Sequence, residues 1–196
     1  MKLYYLDRKS YRNKYSSEIS NDLHKKFGEF HFIPEGGTNE LAVKGCREIL
    51  ENIDVDFDYI CCPCGTGGTI AGLISGLKRK KFALGFAVLK GASFLKDEVT
   101  DLLINVDGKK YDNWDINLKY HFGGYAKFNR ELKKFVYDFS SKHLIPIEPI
   151  YTGKMLYGIY DLISKGYFRE GSKIMAIHTG GLQGLNGLIQ NKKLNF

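Results

Sequence analysis

Apolar runs of strand length alternate along this chain with segments of helical periodicity, and glycine-rich turns mark the switches between them. That alternation constrains the fold more than any other feature. Met1–Asp7 and His31–Pro34 read as short strands. Asn39–Asn52 carries apolar residues at Leu41, Cys46, Ile49 and Leu50, a helical spacing, with Thr38 or Asn39 placed to cap it. Phe57–Cys62 and Phe82–Leu89 are strands, and Thr69–Leu77 is the helix between them. Phe94–Leu103, Asn129–Ser141, Lys154–Ser164 and Gln183–Ile189 read as further helices, and Ser172–His178 as a late strand. Asn105–Tyr125 reads as a long loop, a length that marks functional loops in compact domains. Near-continuous apolar strands separated by helices predict an α/β fold with a parallel sheet covered on both faces.

A chain of 196 residues is long enough for one domain with a real core, or for one large domain with an appendage. No stretch nears the ~18 consecutive apolar residues of a membrane span. The first residues lack the apolar core and cleavage site of a signal peptide, so a cytoplasmic location is the expectation. The net charge of +7 is spread along the chain. The only dense basic cluster, Lys78–Lys81, falls at a helix end, where cations suit the dipole. No nucleic-acid surface is indicated. Three of the four cysteines crowd into Cys61-Cys62-Pro63-Cys64. A zinc site needs a second pair that no later cysteine supplies, and the apolar run around them favours buried structural thiols over a redox pair.

Four turns carry chemical information: Pro34-Glu-Gly-Gly-Thr-Asn39, Cys64-Gly-Thr-Gly-Gly-Thr69, Pro149-Ile-Tyr-Thr-Gly-Lys154 and His178-Thr-Gly-Gly-Leu182. Each lies at a strand end or before a helix, the place where open α/β sheets bind ligands. In the second, successive glycines let backbone N–H groups converge without Cβ interference, and a helix N-terminus follows. Thr66 and Thr69 add hydroxyls, and a phosphate dianion fits such a turn; a glycine turn needed only for packing is the alternative. The turn lacks the Gly-Lys of a Walker A loop. Ile70 occupies the third glycine position of a dinucleotide fingerprint, and no acid follows the next strand to hold a ribose.

Taken together, Ile33–Asn39, Cys64-Gly-Thr-Gly-Gly-Thr-Ile-Ala-Gly72, Gly123-Gly-Tyr-Ala126, Pro149–Lys154 and Ile177-His-Thr-Gly-Gly181 resemble, in order and over essentially the whole chain, the 1-aminocyclopropane-1-carboxylate (ACC) deaminase / D-cysteine desulfhydrase family. The resemblance implies a tryptophan-synthase-β-like (fold type II) large domain over residues 28–196, a remnant of a small domain over 1–27, and pyridoxal 5'-phosphate (PLP) as cofactor. It implies that Gly65, Thr66, Gly67, Gly68 and Thr69 hold the phosphate, that Tyr125 and Tyr151 lie at the substrate as catalytic phenols, and that Thr152 and Thr179 serve the pyridine ring. Where ACC deaminases carry an acid after the second tyrosine, this chain has Thr152, as in the desulfhydrase-like branch. A hydroxyl makes the ring a weaker electron sink than a carboxylate does. D-Cysteine conversion to pyruvate, ammonia and sulfide is therefore the first expectation, and ACC deamination to 2-oxobutanoate and ammonia the second. A small amino-acid substrate and a homodimer of the complete enzyme are also implied.

The chain departs from that family in one respect. The Ser-Gly-Asn-Lys segment, whose lysine bonds the cofactor, and the Ser-Asn-His segment have no counterpart here. Asn13-Lys14 and Asn191-Lys192 lack the context, and Lys44 and Lys154 flank motif turns instead. Without that lysine the proton transfers lose their main base. The expectations are a shortened reading frame, one fragment of a split enzyme, or a short protein that binds a phosphate ligand without catalysis. In each case the chain alone is expected to be inactive, to expose sheet edge and to self-associate.

Overall fold

A computed structural model of the chain describes residues 3–77 and 81–190. Its contacts divide it into Met1–Ile33 and Pro34–Phe196. The first unit holds α1 (Arg8–Arg12) and α2 (Ser17–Phe27), begun by Asp7 and Ser16, whose side chains accept the free N–H groups of the first turn. Neither expected strand of this region forms. Residues 3–7 and 31–34 carry no ladder. Asp7 is used as a cap, Phe32 and Ile33 are exposed, and Pro34 has no N–H to donate to a neighbour.

The second unit is built on a parallel sheet. Asn39 caps α3 (Glu40–Arg47) by accepting from Ala42 N–H at 2.8 Å, and a 3-10 turn finishes that segment at Asn52. Strand β1 (Tyr59–Cys64) runs on through Pro63 to the glycine turn, and α4 (Gly68–Gly76) returns from it. Then follow β2 (Phe82–Ala87), α5 (Leu95–Asp107), β3 (Trp114–Asn117), α6 (Arg130–His143), α7 (Thr152–Ser164), β4 (Ile174–Ala176) and α8 (Gln183–Gln190). The strand order is β3-β2-β1-β4, and each of the three pairings is parallel. β3 falls inside the segment that reads as loop. Its sequence, Trp-Asp-Ile-Asn, is short and mostly polar, with only Ile116 buried, so no apolar run announces it.

Alternation along β1 and β2 divides the core. Ile60, Cys62, Cys64, Ala83 and Ala87 face α3, α4 and α5 with Ile70, Leu73, Ile74, Val99 and Leu103. Cys61, Leu84 and Phe86 face α7 through Met155, Ile159 and Leu162. Cys61, Cys62 and Cys64 are thus free thiols packed into both faces of one strand, and burial raises the pKa of Cys61. Leu132 and Val136 seat α6 on α7. Across the other face, Asp107 of α5 accepts from Arg47 (2.8 Å), Ser75 (2.5 Å) and Tyr111 (2.7 Å), which ties α3, α4 and α5 into one layer. The fold is the expected α/β architecture, with helices on both faces of a parallel sheet. Of the basic cluster, Lys78–Lys80 lies outside the described residues; Lys81 bonds Asp56 at 2.6 Å. Among the described residues no helix is long and apolar enough to cross a membrane.

Candidate functional site

The C-terminal ends of β1 and β2 open into a cavity of about 620 Å³. Its floor is the turn after β1. Gly65, Thr66, Gly67, Gly68 and Thr69 all line it. Gly67 is left-handed (φ +82°), and a Cβ on it would stand 2.6 Å from Val99 Cγ2. Strain and crowding therefore both require glycine there. The turn ends as α4 begins, and no side chain caps that helix. Its first N–H groups and its dipole are left for an anion. Thr38, from the Pro34–Asn39 turn, lies 2.5 Å from Thr66, hydroxyl to hydroxyl, which fixes one wall against the floor.

Two tyrosines stand at the cavity from different elements. Tyr151 immediately precedes α7 and is half-buried, whereas Tyr125, on the loop before α6, is exposed. Their rings meet edge to face with centroids 5.8 Å apart. Burial first, then the hydrogen bond to Tyr125, raises the Tyr151 pKa. That phenol therefore holds its proton and is not a resting base. Thr179, in the turn after β4, lines the same cavity. Thr152 does not. It opens α7 fully buried, and its Oγ1 has no hydrogen-bond partner among the described residues. Of the residues singled out in sequence, eight thus share one cavity and Thr152 is not among its lining residues.

Sequence reading overlooked the support of this arrangement. Glu148 is 2% exposed, and its carboxylate accepts from the N–H groups of Ile150, Tyr151 (2.9 and 3.0 Å) and Thr152 (2.6 Å). A carboxylate at the free N–H groups of a helix start is the signal that could have found it. Lys154, in the first turn of α7, is fully buried. Its Nζ donates to the carbonyls of Gly124 (2.8 Å) and Val88 (3.4 Å).

Burial lowers the Lys154 pKa to about 8 from 10.5, and the charge of Glu148 opposes that shift. The unfolded chain therefore binds the extra proton between about pH 8 and 10.5, and the folded chain does not. The destabilising cost of burying this cation is complete below about pH 8 and is relieved as the pH rises toward 10.5. Urea unfolding at several pH values should show the stability difference between wild type and Lys154→Met moving in favour of wild type across that window. A difference independent of pH would contradict this.

The glycine cradle, the uncapped helix start and the Thr179 hydroxyl at the same cavity fit a phosphorylated group. A family model described as pyridoxal-phosphate dependent enzyme matches residues 8–180. A putative ACC deaminase of Pyrococcus furiosus is 35% identical over 186 residues, covering 87% of this chain and 56% of the relative. A mitochondrial bifunctional D-cysteine desulfhydrase/ACC deaminase of Arabidopsis thaliana is 34% identical over 87% of this chain and 46% of its own length. A crystal structure described as an ACC deaminase homologue superimposes with a TM-score of 0.78 at 28% identity, covering 97% of this chain and 61% of that one. The chain spans about half the length of these curated relatives. With this fold, this cradle and these relatives, the chain belongs to the family of pyridoxal-phosphate dependent enzymes, in the company of ACC deaminase and D-cysteine desulfhydrase homologues.

Proposed function

We propose that this chain carries the phosphate-binding and phenol-bearing part of a PLP site for a small amino acid, of the desulfhydrase kind, with D-cysteine as substrate ahead of ACC. The observation that carries the reading is one cavity gathering the Gly65–Thr69 cradle with Tyr125, Tyr151 and Thr179. The backbone N–H groups of the cradle, with the hydroxyls of Thr66 and Thr69, would hold the phosphate dianion. Thr179 would face the ring with a hydroxyl, and Thr152, buried outside the cavity lining, offers it no acid. When bound, PLP supplies an electron-withdrawing ring that spreads charge developing at the substrate α-carbon. Tyr151, held protonated by burial, would have a proton at its Oη to give to a departing thiolate, and Tyr125 would orient that phenol. A hydroxyl partner to the ring suits β-elimination of a thiol better than opening of a cyclopropane.

No lysine is among the described residues lining the cavity. The proposal therefore includes that the chain alone binds the cofactor reversibly and does not turn substrate over. Stable reduced conjugates of PLP with amino acids test both parts without requiring catalysis. The D-serine conjugate, an oxygen analogue of the D-cysteine one, should bind at least about fivefold tighter than the ACC conjugate, the worth of roughly one hydrogen bond. Tyr151→Phe should erase the difference. Tighter binding of the ACC conjugate would overturn the substrate order. A fixed pyridoxyl adduct on a lysine after borohydride, seen by intact mass, would overturn the inactivity.

A further inference from the structure

Lys154 has no place in the reading above, yet few groups in the molecule are so costly to bury. A lone ammonium removed from water is destabilising unless its protons are taken up by acceptors. Here two acceptors are supplied, and both are backbone carbonyls of other elements. One, Val88, directly follows β2, and its own N–H is bonded to Cys64 O at 3.0 Å beside the cradle. The other, Gly124, directly precedes Tyr125. Gly124 is buried in a turn between exposed residues, with φ +122°. The turn's backbone hydrogen bonds are short ones of its own, Gly124 N–H to His121 O at 3.0 Å and Lys127 N–H to Gly124 O at 3.1 Å, while Phe122 packs edge to face on Tyr157 with centroids 5.0 Å apart. Those bonds shape the turn but do not attach it to the sheet. Lys154 does, across 30 residues of sequence.

The same first turn of α7 fixes the other phenol. Glu148 takes the N–H of Tyr151, and Lys154 lies three residues on. Of the charged groups near this amine, Glu148 faces it from the segment before α7, and Lys90, on the stretch after β2, touches the Gly124 turn from outside, its Cβ lying 3.5 Å from where a Cβ on Gly124 would be. Neither bonds Gly124 O. One helix start therefore sets both tyrosines, one through a carboxylate and one through an ammonium.

We propose that Lys154 is a positioning residue: its ammonium clamps the Gly124 carbonyl and thereby holds Tyr125 against Tyr151 at the cavity mouth. This deepens the cofactor-site reading by naming what sets the geometry of its phenols, and it rests on that reading only for the use made of them. Met is close to Lys in volume and lacks the donors, so Lys154→Met is the informative variant. Chain labelled with ¹³Cζ-tyrosine reports each phenol separately, with Tyr125→Phe and Tyr151→Phe for assignment. In Lys154→Met the Tyr125 and Tyr151 signals should move, Tyr151 in the direction that Tyr125→Phe moves it, while Tyr111, bonded to Asp107, stays. Amide exchange over residues 122–127 should rise at least about tenfold above any rise over residues 59–76, the loss of one charge-assisted bond.

Unmoved Tyr125 and Tyr151 signals in a folded variant, or exchange raised equally in both segments, would overturn the clamp. If the variant does not fold, reductive methylation of wild type decides: Lys154 should resist modification that exposed Lys44 and Lys127 accept, and equal rates would overturn it. Titration of the same samples with inorganic phosphate keeps the two ideas apart. Absence of phosphate binding in wild type would sink the cofactor reading, while the tyrosine signals alone judge the clamp.

Discussion

Gly72→Ala is expected to destabilise the chain by about 3 kcal/mol, although alanine is the better helix former by roughly 1 kcal/mol. Gly72 lies in the middle of α4, where that helix crosses α3 at backbone contact. A Cβ on Gly72 would clash with Cys46 Cβ and stand 2.7 Å from the carbonyl oxygen of Val43. Neither is the movable end of a long side chain, so α3 and α4 must separate. Their separation would also open the shared core of Val43, Ile70 and Leu73 beneath the cavity. Gly45, on α3, provides the control, because a Cβ there meets nothing within 4 Å. Gly45→Ala should raise stability by up to about 1 kcal/mol. Thermal melting of the pair should show opposite signs, with a fall of roughly 10 °C for Gly72→Ala in a chain of this size. Equal small shifts would mean that the helices are not packed this closely.

Glu148→Leu is the second large effect. Leucine fills similar space but leaves the N–H groups of Ile150, Tyr151 and Thr152 without their acceptor in a largely buried region. It also removes the carboxylate that faces the buried Lys154 ammonium. Each stranded donor costs about 1–3 kcal/mol, partly relieved by relaxation, and an uncompensated buried charge adds to it. A net loss of about 3–5 kcal/mol is expected, with Glu148→Gln, which keeps one acceptor oxygen, losing markedly less. Urea midpoints measure both. A Glu148→Leu change within 0.5 kcal/mol of wild type, the range of ordinary surface substitutions, would show that the start of α7 is held by something else.

Much of this fold could be read before the structure because its strongest elements are locally consistent. β1 and β2 are apolar throughout and buried on both faces, α6 and α3 begin at asparagines that do cap them, and the Gly65–Thr69 turn combines glycine and threonine as an anion site requires. β3 escaped because a strand of four residues with one buried side chain has too few apolar positions for a period to show. The two strands expected in the first unit failed for the opposite reason. Leu3, Tyr4 and Tyr5, like Phe32 and Ile33, are apolar enough for a strand, but they join no strand ladder and stay exposed, Tyr4 and Phe32 meeting Phe27 and Tyr15 edge to face instead.

The cavity residues were legible as motif members, but their support was not. Glu148 and Lys154 look in sequence like an ordinary charged pair flanking a helix start. Only the fold shows that both are buried and that Lys154 reaches a carbonyl 30 residues away. Thr152 marks the limit in the other direction. Its place in the motif implied a cofactor contact, whereas its side chain is buried, unpartnered and absent from the cavity lining.

The central claim is that the Gly65–Thr69 turn holds the phosphate of PLP. Its most direct measurement is a PLP titration of the wild-type chain followed by absorbance, repeated with Thr69→Val and with inorganic phosphate or phosphate-free pyridoxal as competitors. Saturable binding is expected, displaced by inorganic phosphate, displaced poorly by pyridoxal and weakened about tenfold by Thr69→Val, as the loss of one charge-assisted bond to phosphate implies. Binding that pyridoxal displaces as readily as PLP, or that Thr69→Val leaves unchanged, would contradict it.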